Sequence, residues 1–156
     1  MRSGGHTIQP LLGLIEYDEA ASDLAFQQVI LQGVSRTFAL TIPQLPEPLC
    51  TVVGNAYLLC RLADTIEDAA ELDGETKQRY AAHFIEVVGG RSEALAFASE
   101  LEAALDERTP AAERELVLNT ERVVRLTHAF NWHQRGVLER CVTIMSRGMS
   151  AYQEAP

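Results

Sequence analysis

A run of thirteen uncharged residues, Pro48 to Cys60, is followed by eight residues that carry four charges: Arg61, Asp64, Glu67 and Asp68. The first part is apolar nearly all round at helical spacing. A helix of that kind has no face to give to water and belongs at the centre of a packed structure. The second part turns the same helix polar within two turns. A chain with this segment must wrap other helices around the apolar half and leave an opening where the charges emerge. The remaining sequence has to supply those helices.

It does so from end to end, and no period-two strand pattern is present. The spacing predicts a first helix from about Tyr17 to Val34, with Leu24, Ile30, Leu31 and Val34 near one face. Pro43, Pro46 and Pro48 break the chain, and Pro48 suits the first turn of the central helix, which runs to about Ala70. Asp73 reads as an N-cap for a third helix bearing Tyr80, Phe84, Val87 and Val88, stopped by Gly89-Gly90. Ser92 reads as the cap of a fourth, with Leu95, Ala98, Leu101 and Leu105 at helical spacing. A fifth starts at Thr109-Pro110 with Leu116, Val117, Val123, Val124 and Phe130 as its stripe. Asn131 caps the last, along which Val137, Leu138, Cys141, Ile144, Met145 and Met149 continue the apolar face. The expectation is an all-α chain of one domain over residues 17–156, preceded by a poorly ordered segment, residues 1–16.

Composition narrows the function classes. With 47% hydrophobic and 22% charged residues the chain is an ordinary globular one. A formal net charge of −9 argues against nucleic acid and against an electrostatic hold on anionic lipid. It does not exclude an anionic diphosphate, because carboxylates take up cations and the cations take up phosphate. Cys50, Cys60 and Cys141 have no C-x-x-C spacing and form neither a disulfide framework nor a zinc site. Cys60 and Cys141 read as small core residues. The N-terminus lacks the apolar run of a signal peptide, and the uncharged run at Pro48–Cys60 is short of the roughly 20 residues that span a bilayer. The expected location is cytoplasmic.

Helix geometry places Tyr57, Arg61, Asp64 and Asp68 in one line, at spacings of four, three and four. Two carboxylates about 6 Å apart in a partly buried site repel by roughly 2–3 kcal/mol at an effective dielectric near 20. Arg61 offsets that in part, and so does a divalent cation with a preference for hard oxygen. Mg²⁺ suits the pair, since it takes one or two carboxylates together with substrate phosphate oxygens. Spacing alone leaves open a solvated acidic helix end. A second polar group, Ser35-Arg36-Thr37-Phe38, offers a cation beside two hydroxyls and an aromatic ring, a set able to grip a diphosphate. Taken alone it also fits an ordinary helix end. Gly148 costs about 1 kcal/mol mid-helix relative to alanine; with Met149 it marks a close approach by a ligand or another helix. His128 and His133 are five apart and on different faces, which disfavours a shared metal.

Three segments in order resemble the squalene/phytoene synthases, the head-to-head branch of the trans-prenyl transferases. Ser35-Arg36-Thr37-Phe38-Ala39 is similar to the family's S-R-[ST]-F-[AS]. Tyr57 to Asp68 is similar to its first aspartate-rich motif, Y-x-x-x-R-x-x-D-x-x-[ED]-D. Met145 to Tyr152 is similar to M-x-x-G-M-x-x-[FY]. The resemblance implies an all-α bundle around a central cavity, in which two farnesyl or geranylgeranyl diphosphates join head to head. It implies Mg²⁺ on Asp64 and Asp68, phosphate neutralisation by Arg36 and Arg61, and a hydrogen bond from Ser35. It further implies Tyr57 beside the reacting carbons, Phe38 as a cavity wall, and Gly148 and Met149 lining the pocket. NADPH is the implied reductant for a reductive step, without a Rossmann motif. D-T-I-E-D is closer to squalene than to phytoene synthases; a geranylgeranyl substrate, a dehydrosqualene product and a non-catalytic partner-binding helical domain are the alternatives. The family's second aspartate-rich motif has no counterpart here, since no aspartate follows Asp106. The resemblance thus covers the N-terminal part of a synthase. These residues alone are expected not to complete the reaction, and to self-associate or pair with a chain supplying the rest. An apolar product implies an association peripheral to a membrane.

Overall fold

The structure, a computed structural model, describes the backbone of residues 12–154 and the side chains of residues 21–147. Residues 1–11 and 155–156 lie outside it, and at Gly148 and Met149 only the backbone is described. The described residues form α1 (Leu12–Val34), α2 (Arg36–Thr41), a 3₁₀ turn (Ile42–Gln44), α3 (Glu47–Asp68), α4 (Gly74–Val88), α5 (Ala94–Ala104), α6 (Ala111–Leu118), α7 (Thr120–Ala129) and α8 (Trp132–Glu154). Among the described residues there is no strand.

The helix ends show why the sequence divides as it does. Ser35 leaves helical geometry between α1 and α2, and its Oγ accepts a hydrogen bond from Phe38 N. Pro48 sits in the first turn of α3. Asp73 caps α4 by accepting from Thr76 N at 2.8 Å. Gly90, at φ 80°, makes the turn after α4 that a side chain would strain. Asn131 Oδ1 accepts from Gln134 N at 2.8 Å at the start of α8.

α3 is the hub: it packs against α1, α4, α6, α7 and α8. Leu58, Leu59, Leu62, Ala63 and Ile66 are buried along it. Two buried polar contacts set its rotation. Asn55, wholly buried, donates through Nδ2 to Val123 O of α7 at 2.9 Å, and its Oδ1 accepts from Thr127 Oγ1 at 2.8 Å. Gly54 lets α1 approach closely, since a Cβ there would lie 2.5 Å from Gln27 Nε2. At 22 residues α3 is long and apolar enough by composition to cross a membrane, but it is also the helix on which the core is built.

Several expectations are corrected. α1 begins at Leu12, before Tyr17. The helix expected from Thr109 to Phe130 is two, because the chain leaves helical geometry at Asn119, whose N–H is shared among carbonyls of the preceding turn. The cap before α5 is Glu93, not Ser92; Ser92 Oγ instead meets His83 Nε2 at 2.9 Å. Leu95, Val137, Ile144 and Cys141 are exposed and Cys60 is half-buried, so α5 and α8 bury narrower stripes than their apolar patterns suggest.

Candidate active site

Tyr57, Arg61, Asp64 and Asp68 all stand on α3, on a face interleaved with its buried residues Leu58, Leu62 and Ile66. Asp64 is half-buried and Asp68 exposed. Neither carboxylate receives a hydrogen bond among the described residues. Burial pushes the Asp64 carboxyl above the ordinary aspartate range, Arg61 opposes that, and the like charges of Asp68 and Glu67 add to it. No three His, Cys, Asp or Glu side chains converge on a common point among the described residues. The donor set is therefore two hard carboxylates with room for outside oxygens. It fits Mg²⁺ carried with a phosphate better than a cation held in an all-protein cage.

Arg61 has a partner that sequence reasoning missed. Its Nη2 donates to Glu113 Oε2 of α6 at 2.7 Å, while its Nη1 lies 3.5 Å from Asp64 Oδ2. Burial works against the guanidinium charge, yet the Glu113 hydrogen bond and charge, with Tyr57 and Asp64, hold its pKa above the ordinary arginine value. Arg61 Nε is buried without a partner. Glu113 is 52 positions from Arg61 in the chain. In sequence it looks like an acid in the first turn of a helix, which needs no further reason.

The second expected group comes to the same part of the molecule. The Phe38 and Tyr57 rings lie with centroids 4.4 Å apart, tilted by 32°. Phe38 is 42% exposed, so it is not the core residue an ordinary helix end would make of it. Ser35 Oγ accepts from Phe38 N, which leaves its own proton available to donate. Arg36 is exposed and meets no carboxylate among the described residues. A hollow of about 450 Å³ is lined by Arg36 with Gln32, Ala39 and Leu40. Another, of about 290 Å³, lies where Arg61, Asp68 and Glu113 meet Glu71 and Thr109. Gly148 and Met149 belong to α8, but only their backbone is among what the structure describes.

This geometry can be set beside known proteins. The family model for squalene/phytoene synthase matches residues 31–156, most of the chain. The chain belongs to the squalene/phytoene synthase family. Squalene synthase BSS of Botryococcus braunii is 40% identical over 70 residues, which are 45% of this chain and 15% of that relative. Botryococcus squalene synthase, from the same organism, is 44% identical over 54 residues, 35% of this chain and 12% of that one. The solved structure of TcSQS with the ligand BPH1237 superposes with a TM-score of 0.70 at 27% identity, over 86% of this chain and 36% of TcSQS. The TcSQS complex with E5700 gives 0.64 at 28% identity, over 85% and 36%. This squalene/phytoene synthase chain thus spans little more than a third of those solved chains and a smaller part of the curated relatives. Its all-α architecture is that of the family.

Proposed function

We propose that this chain supplies the first aspartate-rich face of a Mg²⁺-dependent site at which two farnesyl diphosphates condense head to head, by way of presqualene diphosphate, towards squalene. One observation carries the reading. The Asp64 and Asp68 carboxylates lie without hydrogen bonds among the described residues on one helix face beside Arg61, with the Phe38–Tyr57 ring pair about one helical turn before Arg61. The matched relatives named as squalene synthases favour the C15 reaction over a phytoene-type one.

Asp64 and Asp68 would hold the Mg²⁺, which when bound supplies Lewis-acid stabilisation to a departing diphosphate. Arg36, with no acidic partner among the described residues, binds diphosphate oxygens as a bidentate donor. Ser35 donates its hydroxyl proton to the same group. Arg61 presents positive charge at the acidic face, reducing repulsion between the carboxylates and the incoming phosphate. The Phe38 and Tyr57 rings exclude water from the reacting carbons and offer π faces to positive charge developing there. NADPH would serve as reductant in the later step. The reading places the protein in the cytoplasm, peripheral to a membrane that takes up the apolar product.

Calorimetric titration with the unreactive analogue farnesyl thiodiphosphate tests the proposal. Binding is expected to require Mg²⁺ and to weaken by at least tenfold in the paired substitution Asp64→Asn with Asp68→Asn. Affinity that is indifferent both to Mg²⁺ and to these substitutions would overturn it.

A further inference from the structure

We infer that Glu113 is a positioning residue: it draws the Arg61 guanidinium across to α6 and so keeps Asp64 and Asp68 open to a cation. The inference rests on the Mg²⁺–diphosphate reading of those two carboxylates and deepens it.

Asp64 and Glu113 compete for one cation, the Arg61 guanidinium. Asp64 is three residues after Arg61 on the same helix, a spacing at which arginine and aspartate readily pair. A fork-to-carboxylate pair between them would be the default on an isolated helix. It does not form. The Arg61–Asp64 separation of 3.5 Å is a loose ion pair without a hydrogen bond, whereas Arg61–Glu113 is a hydrogen-bonded one at 2.7 Å. The Glu113 side chain is only 11% exposed and that of Arg61 26%, so their attraction is less screened than one at the surface. Glu113 has no other hydrogen-bond partner among the described residues. Its placement is fixed by α6, which starts after Pro110 and packs against α3.

The other groups around Arg61 do not take over this role. Thr65 Oγ1 is committed to Arg61 O at 2.8 Å, and Glu71 is held by Oε2, which accepts from Asp106 N and Thr109 Oγ1, while its Oε1, buried without a partner, lies beyond ion-pair distance of Arg61. With the Glu113 charge removed, the nearest acid left for Arg61 is Asp64. Its guanidinium then closes on that carboxylate, occupying oxygens that a metal ion needs and placing a positive charge beside the second ligand, Asp68. Glu113 therefore acts on cation binding through Arg61 and touches neither the metal nor the phosphate. Its conservative replacement by glutamine retains an acceptor oxygen and nearly the same volume, so the effect traced is that of charge.

The experiment is a titration of Mg²⁺ into the chain at saturating inorganic diphosphate, read by calorimetry, with the melting temperature of each variant recorded alongside. Glu113→Gln is expected to raise the half-saturating Mg²⁺ concentration on the order of tenfold, at the low end of what outer partners of metal ligands carry. In an Arg61→Gln background the same substitution is expected to change it less than twofold, because no guanidinium remains to be released. A Glu113→Gln protein that melts lower but keeps the parent Mg²⁺ half-saturation makes Glu113 a strut between α3 and α6 and overturns the inference. So does an equal loss in both backgrounds. If the unsubstituted chain shows no Mg²⁺-dependent diphosphate binding, the functional reading fails at that point and this inference falls with it.

Discussion

Replacing Thr127 by valine tests what sets the rotation of α3, and with it the direction in which the site faces. The substitution keeps side-chain volume and removes one hydroxyl. Thr127 Oγ1 is within reach of Asn55 Oδ1 at 2.8 Å and Val123 O at 3.0 Å, and its single proton serves the Asn55 oxygen best. Both residues are fully buried, so water does not step in from the surface. In Thr127→Val, Asn55 Oδ1 is left without its donor. A buried acceptor stranded in this way costs about 1–3 kcal/mol, and a central value of about 2 kcal/mol is expected. For a chain of this size that corresponds to roughly a 4–8 °C fall in melting temperature. The double replacement Asn55→Leu with Thr127→Val strands nothing, because Val123 O retains its place in the α7 backbone ladder. It is expected to be less destabilised than Thr127→Val alone. Urea unfolding followed by helical circular dichroism measures both. A Thr127→Val change within about 0.5 kcal/mol of the parent, or a double variant no better than the single, would refute the reasoning.

Gly54→Ala places a Cβ 2.5 Å from Nε2 of the buried Gln27. Overpacking of about 1–3 kcal/mol outweighs a helix-propensity gain of about 1 kcal/mol, and urea unfolding should show a net loss. Asp106 is held down to about 2, first by the Arg108 side-chain hydrogen bond, below the ordinary aspartate value. A lowered folded-state pKa gives stability that is present above about pH 4 and lost as pH falls towards 2. Asp106→Asn should therefore flatten the melting-temperature profile across that window and leave it unchanged near pH 7 in slope. Leu40, Leu49 and Ile144 are exposed, and sedimentation at micromolar concentration is expected to show self-association; a sharp monomer boundary would contradict it.

The sequence carried the helices and the line on α3 because both are local. A cap such as Asp73, a stop such as Gly89-Gly90, and a polar stripe at spacings of three and four are all written within a few residues. Tyr57, Arg61, Asp64 and Asp68 share a face by helix arithmetic alone. What the sequence did not carry is tertiary. Glu113 reaches Arg61 from another helix, and nothing near it in the chain distinguishes it from a first-turn acid. The break at Asn119 was hidden because Leu116 and Val123, seven apart, stay in phase across it, and both are buried as the unbroken stripe would require. Exposed Ile144 and Val137 show the converse, an apolar residue in register with a stripe but beyond the reach of its neighbours. Ser35 to Phe38 became more than a helix end only when the Phe38 ring was found against Tyr57.

The chain contains a single lysine, Lys77, and its amine donates to Glu67 O at 2.6 Å, one residue before the end of the aspartate-bearing helix. Reagents that acylate amines therefore have one side-chain target here, and it sits against the candidate site. A mild acylating label followed by mass spectrometry reports on that helix end without any engineered tag. Its rate at Lys77 tracks how often the Glu67 carbonyl releases the amine, so a ligand that tightens the end of α3 should protect this one nitrogen from modification.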